Sequence, residues 1–90
     1  MRLDKYLKAA RLVKRRTLAK TMCDQGRVAV NGRTAKAGTQ VAVGDQLVIR
    51  YGQRELTVQV NHLAESPRKE EAGQLYTVLK DERIEHSDPD

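Results

Sequence analysis

The stretch RTLAKTMCDQGRVAVNG, residues 16–32, changes period in its middle. Before Gly26, the residues Leu18, Ala19, Met22 and Cys23 recur at helical spacing, and Arg16, Lys20 and Asp24 follow one another four apart along the edge of that stripe. After Gly26, Val28 and Val30 alternate with Arg27 and Ala29, the two-residue repeat of a strand. Gly26 stands where a C′ residue ends a helix, and Asn31-Gly32 is the dipeptide that tight hairpins favour, because both of its residues tolerate positive φ. The stretch predicts a helix over Arg16–Gln25, a strand over Arg27–Val30 and a return through Arg33–Lys36.

Toward the N-terminus, Leu3, Leu7 and Ala10 recur at helical spacing with Tyr6 beside them, while Arg2, Lys5, Lys8 and Arg11 recur every three residues on the opposite side. A turn over Leu12–Arg15 joins this first helix to the second. The joint is an αα-hairpin whose elbow, RLVKRRTLAK, holds five cations in ten residues.

Toward the C-terminus, Val41 and Val43 lead into Gly44-Asp45, after which Leu47, Ile49 and Tyr51 alternate with Val48 and Arg50. Leu56, Val58 and Val60 mark a last strand. Ser66-Pro67 places a capping side chain before a proline at N1, with Glu70 and Glu71 in the first turn where the dipole favours anions. A third helix is expected from there to Lys80, with Ala72, Leu75, Tyr76 and Leu79 as its apolar face, although Gly73 costs it about 1 kcal/mol relative to Ala. Asp81–Asp90 is acid-rich and reads as a disordered tail. The fold class is α+β: two N-terminal helices packed on a small antiparallel or mixed sheet over residues 1–64, a C-terminal helix over 65–80 on or beside it, and the tail over 81–90.

Ninety residues make one small domain. With 39% hydrophobic residues but 3% aromatics and no Trp or Phe, the core must be aliphatic, and little is left for stacking on exposed bases. The single Cys23 cannot form an internal disulfide, the two His residues lie far from it, and no metal-ligand spacing appears. A reducing cytoplasm fits. No run of eighteen apolar residues or signal-peptide pattern is present, so no membrane partner is expected.

The net charge of +5 conceals a segregation. Residues 1–36 carry eleven Lys or Arg against Asp4 and Asp24, a local +9, while residues 37–90 carry −4. Solvated surfaces mix both signs, and this half scarcely does, which points to a polyanion partner. The candidate contacts are Arg2, Lys5, Lys8 and Arg11 on helix 1, Lys14, Arg15 and Arg16 at the elbow, and Lys20 on helix 2. Other residues read as structural: Asp4 as a first-turn acid favoured by the helix dipole, in preference to a partner that orients Arg2 or Lys8, Cys23 as core, Asn31 and Gly32 as turn, Tyr51 and Tyr76 as packing. Tyr6, beside the basic face, is placed to touch a ligand. Neither His62 nor His86 has a nucleophile or carboxylate constellation around it, and catalytic and metal-binding residues are expected to be none.

The order of these elements, with RLDKYL opening helix 1, Arg16 starting helix 2, GRVAVNG across the helix–strand junction and VAVGDQLVI closing the sheet, resembles the S-four RNA-binding domain (the alpha-L motif), named after a small-subunit ribosomal protein. Over nearly the whole chain, including GQRELTVQVNHL and KEEAGQLYTVLKDER, it resembles small bacterial ribosome quality-control factors related to heat shock protein 15. That resemblance implies a monomeric, cofactor-free, ribosome-associated cytoplasmic factor. Its implied partners are rRNA of the large ribosomal subunit, peptidyl-tRNA and RqcH, which adds alanines to the stalled chain. The alternative within the resemblance is a recycling factor of the heat shock protein 15 type that binds large subunits carrying nascent chains without tailing; the short acidic tail here favours the first reading.

The family's basic positions match Arg2 and Arg16. Many members carry Ser or Thr before the latter, whereas Arg15 stands here and cannot accept from the helix N–H groups. Thr17, water or a phosphate must then cap helix 2. A DNA-binding helix-turn-helix would need polar base-reading side chains where Leu18, Ala19 and Met22 stand, and an RNA-modifying enzyme would need a catalytic domain for which ninety residues leave no room.

Overall fold

In the computed structural model, which describes residues 1–83, two helices lie on one face of a five-stranded antiparallel sheet. Helix α1 spans Leu3–Ala9 and α2 spans Arg16–Asp24. Strands β1 (Val28–Val30), β2 (Arg33–Thr34), β3 (Gln46–Tyr51) and β4 (Arg54–Val60) follow, then a one-turn helix α3 (Lys69–Ala72) and β5 (Tyr76–Arg83). The sheet order is β2-β1-β3-β4-β5.

The period change at Gly26 is realised as read. Gly26 has φ 74°, and β1 turns back to β2 through Asn31 and Gly32 at φ 51° and 84°, with Val30 paired to Arg33. Asn31 also reaches across the loop. Its Oδ1 accepts from the Gln46 N–H at 2.9 Å and its Nδ2 donates to Asp45 at 3.1 Å, fixing where β3 begins.

Alternation then sorts the sheet. Val28, Leu47, Ile49, Leu56, Val58 and Val60 face the helices and are buried, while Val48, Arg50, Thr57 and Gln59 face away. Leu3, Tyr6, Leu7, Ala10, Ala19, Met22 and Cys23 complete the core from the helix side. Cys23 is buried as expected, and Tyr51 and Tyr76 pack against the core.

The elbow is a packed corner. Arg11 adopts the left-handed region at φ 58°, the N–H groups of Leu12 and Val13 both donate to the Leu7 carbonyl, and Leu12 and Val13 are buried. Tyr51 Oη donates to the Leu12 carbonyl at 2.6 Å and ties the corner to β3. The start of α1 is held by backbone rather than by a capping side chain: Leu3 and Asp4 N–H donate to the carbonyls of Thr39 and Ala37.

The C-terminal segment departs from expectation. The helix expected over 65–80 is limited to Lys69–Ala72, and Tyr76–Lys80 forms β5 together with Asp81–Arg83, the start of the expected tail. Residues 84–90, with His86 and the rest of that tail, lie outside the described residues. The apolar spacing of Ala72, Leu75, Tyr76 and Leu79 fits a helix, but β4 would otherwise leave a row of backbone donors and acceptors unpaired, and β5 pairs with it from Val60↔Tyr76 to Arg54↔Arg83. Gly73 ends the helical turn. Nor does Ser66 cap α3. Arg68 is the N-cap, and its N–H donates to the Glu71 carboxylate at 2.9 Å.

Two side-chain placements also differ. Leu18, assigned to the apolar stripe of α2, is 47% exposed, because Ala19, Met22 and Cys23 suffice to fill the contact with the sheet. Tyr6, expected beside the basic surface, is fully buried, and its hydroxyl donates to the Leu75 carbonyl.

Candidate nucleic-acid interface

All eight predicted cations belong to the α1–elbow–α2 corner, and seven of them are exposed, with Lys5 partly covered. Arg2 is the extended N-cap residue of α1 and Arg16 the first residue of α2. They meet on Asp4. Asp4 is 3% exposed, the one charged residue buried among the described residues. Arg2 donates through Nε to Asp4 Oδ1 at 3.2 Å and through Nη2 to Oδ2 at 3.4 Å, while Arg16 Nε lies 3.2 Å from Oδ2. The Lys5 N–H adds a 2.8 Å bond to Oδ1. Burial pushes the Asp4 carboxyl up, but the bonds from Arg2, Arg16 and the Lys5 backbone outweigh it and hold the group below the usual carboxylate range.

Asp4 thus pairs directly with two arginines: of the two sequence readings, the less favoured one, in which it orients Arg2, holds, with Arg16 rather than Lys8 as the second partner. The signal was present: Asp4 lies one turn before Leu7, on the apolar side of α1, where a carboxylate requires partners.

Lys5, Lys8, Arg11 and Arg16 line one cleft of about 350 Å³, together with Glu65, Ser66 and Pro67. Glu65 is an acid that sequence reasoning did not place there. Its Oε1 lies 2.6 Å from Lys5 Nζ, sixty residues away in sequence, and this bond holds its carboxyl below the usual range. Lys14, Arg15 and Lys20 do not line this cleft; they extend the charge along the elbow and α2. At the start of α2, Arg15 is the extended N-cap residue and no side chain caps the helix. Its positive end therefore opens onto a cationic surface.

A larger surface cavity, about 620 Å³, lies between the β3–β4 turn and the end of β5. Its Arg54 is already committed, bonded twice to Asp81 at 2.9 Å and stacked over the Tyr51 ring. Among the described residues, no group of three His, Cys, Asp or Glu could hold a metal ion.

Two helices meeting at a packed cationic corner, followed by a tight β1–β2 hairpin and an antiparallel sheet, define the chain's class: it belongs to the S4 domain family, whose model matches residues 1–47. Among relatives, the chain is 59% identical over 88 residues to the RQC P-site tRNA stabilizing factor of Halalkalibacterium halodurans, an alignment covering 98% of this chain and 100% of that protein. It is 56% identical over 84 residues to the protein of the same name from Bacillus subtilis, covering 93% and 98%. Among solved structures, heat shock protein 15 of Vibrio cholerae, described as trimeric, superposes with a TM-score of 0.82 at 40% identity, covering 87% of this chain and 80% of that one.

Proposed function

We propose that the chain is a non-catalytic RNA-binding factor of ribosome-associated quality control. It binds rRNA and peptidyl-tRNA on an obstructed large ribosomal subunit and supports RqcH in adding alanines to the stalled nascent chain. It acts in the cytoplasm, as a monomer and without a cofactor.

The observation that carries this reading is the gathering of Arg2, Lys5, Lys8, Arg11 and Arg16 at one corner beside the uncapped start of α2. The major groove of duplex RNA is too narrow for side chains to read, so a rigid cationic corner suits phosphates and shape. Arg fits best, since its planar guanidinium can give a phosphate two parallel bonds. The relatives' shared name supports the choice of ribosome quality control and of tRNA as partner.

A second reading is favoured by the structural likeness to heat shock protein 15: a recycling factor that binds large subunits carrying nascent chains without tailing. Affinity purification of the tagged chain from its host, with sequencing of bound RNA and mass spectrometry of bound proteins, tests both. Large-subunit RNA, tRNA and alanine-tailed nascent chains support the first. Large subunits with untailed chains support the second, and free mRNA or DNA without large subunits overturns both.

A further inference from the structure

We propose that Asp4 is a positioning residue for RNA phosphates: by holding Arg2 and Arg16 on one buried carboxylate, it presents their outer N–H edges as a single anion site. The inference rests on the RNA-binding reading above and adds to it a residue of the wrong sign.

The geometry sorts the charges by depth. The Asp4 side chain is 4% exposed, and those of Arg2 and Arg16 are each 48% exposed. Each guanidinium has five N–H donors in a rigid fork. Arg2 bonds Asp4 through Nε and one Nη2 donor, and Arg16 forms an ion pair with its Nε 3.2 Å from Oδ2, so most donors on both side chains stay available to an outside anion.

Arg2 precedes α1 and Arg16 opens α2, so no shared element fixes one against the other. Their common partner does. A free Arg side chain loses several torsions when it grips a phosphate; one already tethered at Nε loses fewer. The Lys5 N–H in turn fixes the carboxylate. Gly38 lines the other flank, where a Cβ would come 3.9 Å from the Arg2 guanidinium.

This arrangement sets a sign that charge alone does not. If the corner merely summed charges, removing Asp4 would strengthen polyanion binding. Positioning reverses that expectation for structured RNA and leaves it in place for a flexible polyanion. Asp4→Asn is the variant of choice, since it keeps the shape and one oxygen for the Lys5 N–H.

The test measures binding of a labelled transcript of large-subunit rRNA and, in parallel, the salt concentration that elutes the protein from heparin. Wild type and Asp4→Asn are compared, each also in an Arg2→Ala/Arg16→Ala background. The inference expects Asp4→Asn to weaken transcript binding about tenfold. Heparin elution should move to equal or higher salt, and without the two arginines Asp4→Asn should change transcript binding less than about twofold. Equal or tighter transcript binding by Asp4→Asn overturns the inference. So does a loss of the same size without both arginines, which would mark a structural role.

Should Asp4→Asn fail to fold, wild-type NMR decides. Slowly exchanging Nε–H signals from both Arg2 and Arg16 that persist on adding the transcript support the fork, and rapid exchange of either overturns it. A wild-type protein that does not bind the transcript overturns the RNA reading and this inference with it, whereas wild-type binding with a neutral Asp4→Asn overturns the inference alone.

Discussion

The Tyr6 hydroxyl donates to the Leu75 carbonyl oxygen at 2.6 Å, joining the first helix to the turn before the last strand across sixty-nine residues. The same carbonyl accepts from the N–H groups of Asn61 at 2.8 Å and His62 at 3.2 Å. Tyr6→Phe therefore leaves no orphaned acceptor and is expected to cost about 1 kcal/mol. Urea unfolding checks this. RNA affinity should not change, because Tyr6 is fully buried.

Charge reversal separates the cationic corner from the rest of the surface. Arg16→Glu removes a cation from the cleft and sets a second acid against Asp4, whereas Arg83 lies at the end of β5. Titration of labelled large-subunit rRNA should show more than about a tenfold loss for Arg16→Glu and less than about threefold for Arg83→Glu. Equal losses would mean that the surface is misplaced.

Salt dependence counts the cations that meet phosphates. If all eight did so, the log–log slope of affinity against salt would have a magnitude of about 7; with Arg2, Lys5 and Arg16 already holding acids, the expectation is about 4 to 7. Glu65→Gln frees Lys5 and should strengthen binding a few-fold while steepening the slope by about 1. A flat slope would remove electrostatics from the account.

A side-chain cap at α2 should substitute for what RNA supplies. Arg15→Ser places a hydroxyl at the N-cap position, which is occupied by a residue that cannot accept. The free protein should gain about 1 kcal/mol, or about 4 to 8 °C in melting temperature. Its further gain on adding RNA should be smaller than that of wild type. Equal gains in calorimetry would exclude phosphate as the cap.

Cys23 should behave as an inert core thiol. Burial, aided by the nearby charges of Asp4 and Asp24, pushes it up to about 11 from 9.0. The native state holds a proton that the unfolded chain releases, so this contribution is fully present below about pH 9 and lost as pH rises toward 11. Denaturant unfolding at pH 8 and 10 should show a larger loss for wild type than for Cys23→Ala. Iodoacetamide should react with the native thiol far more slowly than with the unfolded one.

The first sixty residues were the more legible part. Helix α2, the Asn31-Gly32 hairpin and strands β3 and β4 are specified by near neighbours: a period, a stop residue, a turn dipeptide. Residues 66–83 were not. There Leu75, Tyr76 and Leu79 satisfy a helical template locally, and the need of β4 for a partner outweighs it from a distance. The site divides the same way. The eight cations could be read from charge and the need of Asp4 for partners from its place on the apolar side of α1, but the choice of Arg16 as its second partner, and the arrival of Glu65 at Lys5, depend on contacts that no local pattern encodes.

The position of β5 has a consequence for the order in which the protein is made. A nascent chain complete through Val60 already contains α1, α2 and β1–β4, yet it lacks the Leu75 carbonyl that receives Tyr6 and the strand that covers the outer edge of β4. Closing contacts of such long separation makes folding a late event of the whole chain rather than an N-terminal-first one. A copy interrupted before Leu75 therefore displays the cationic corner on an unfinished core.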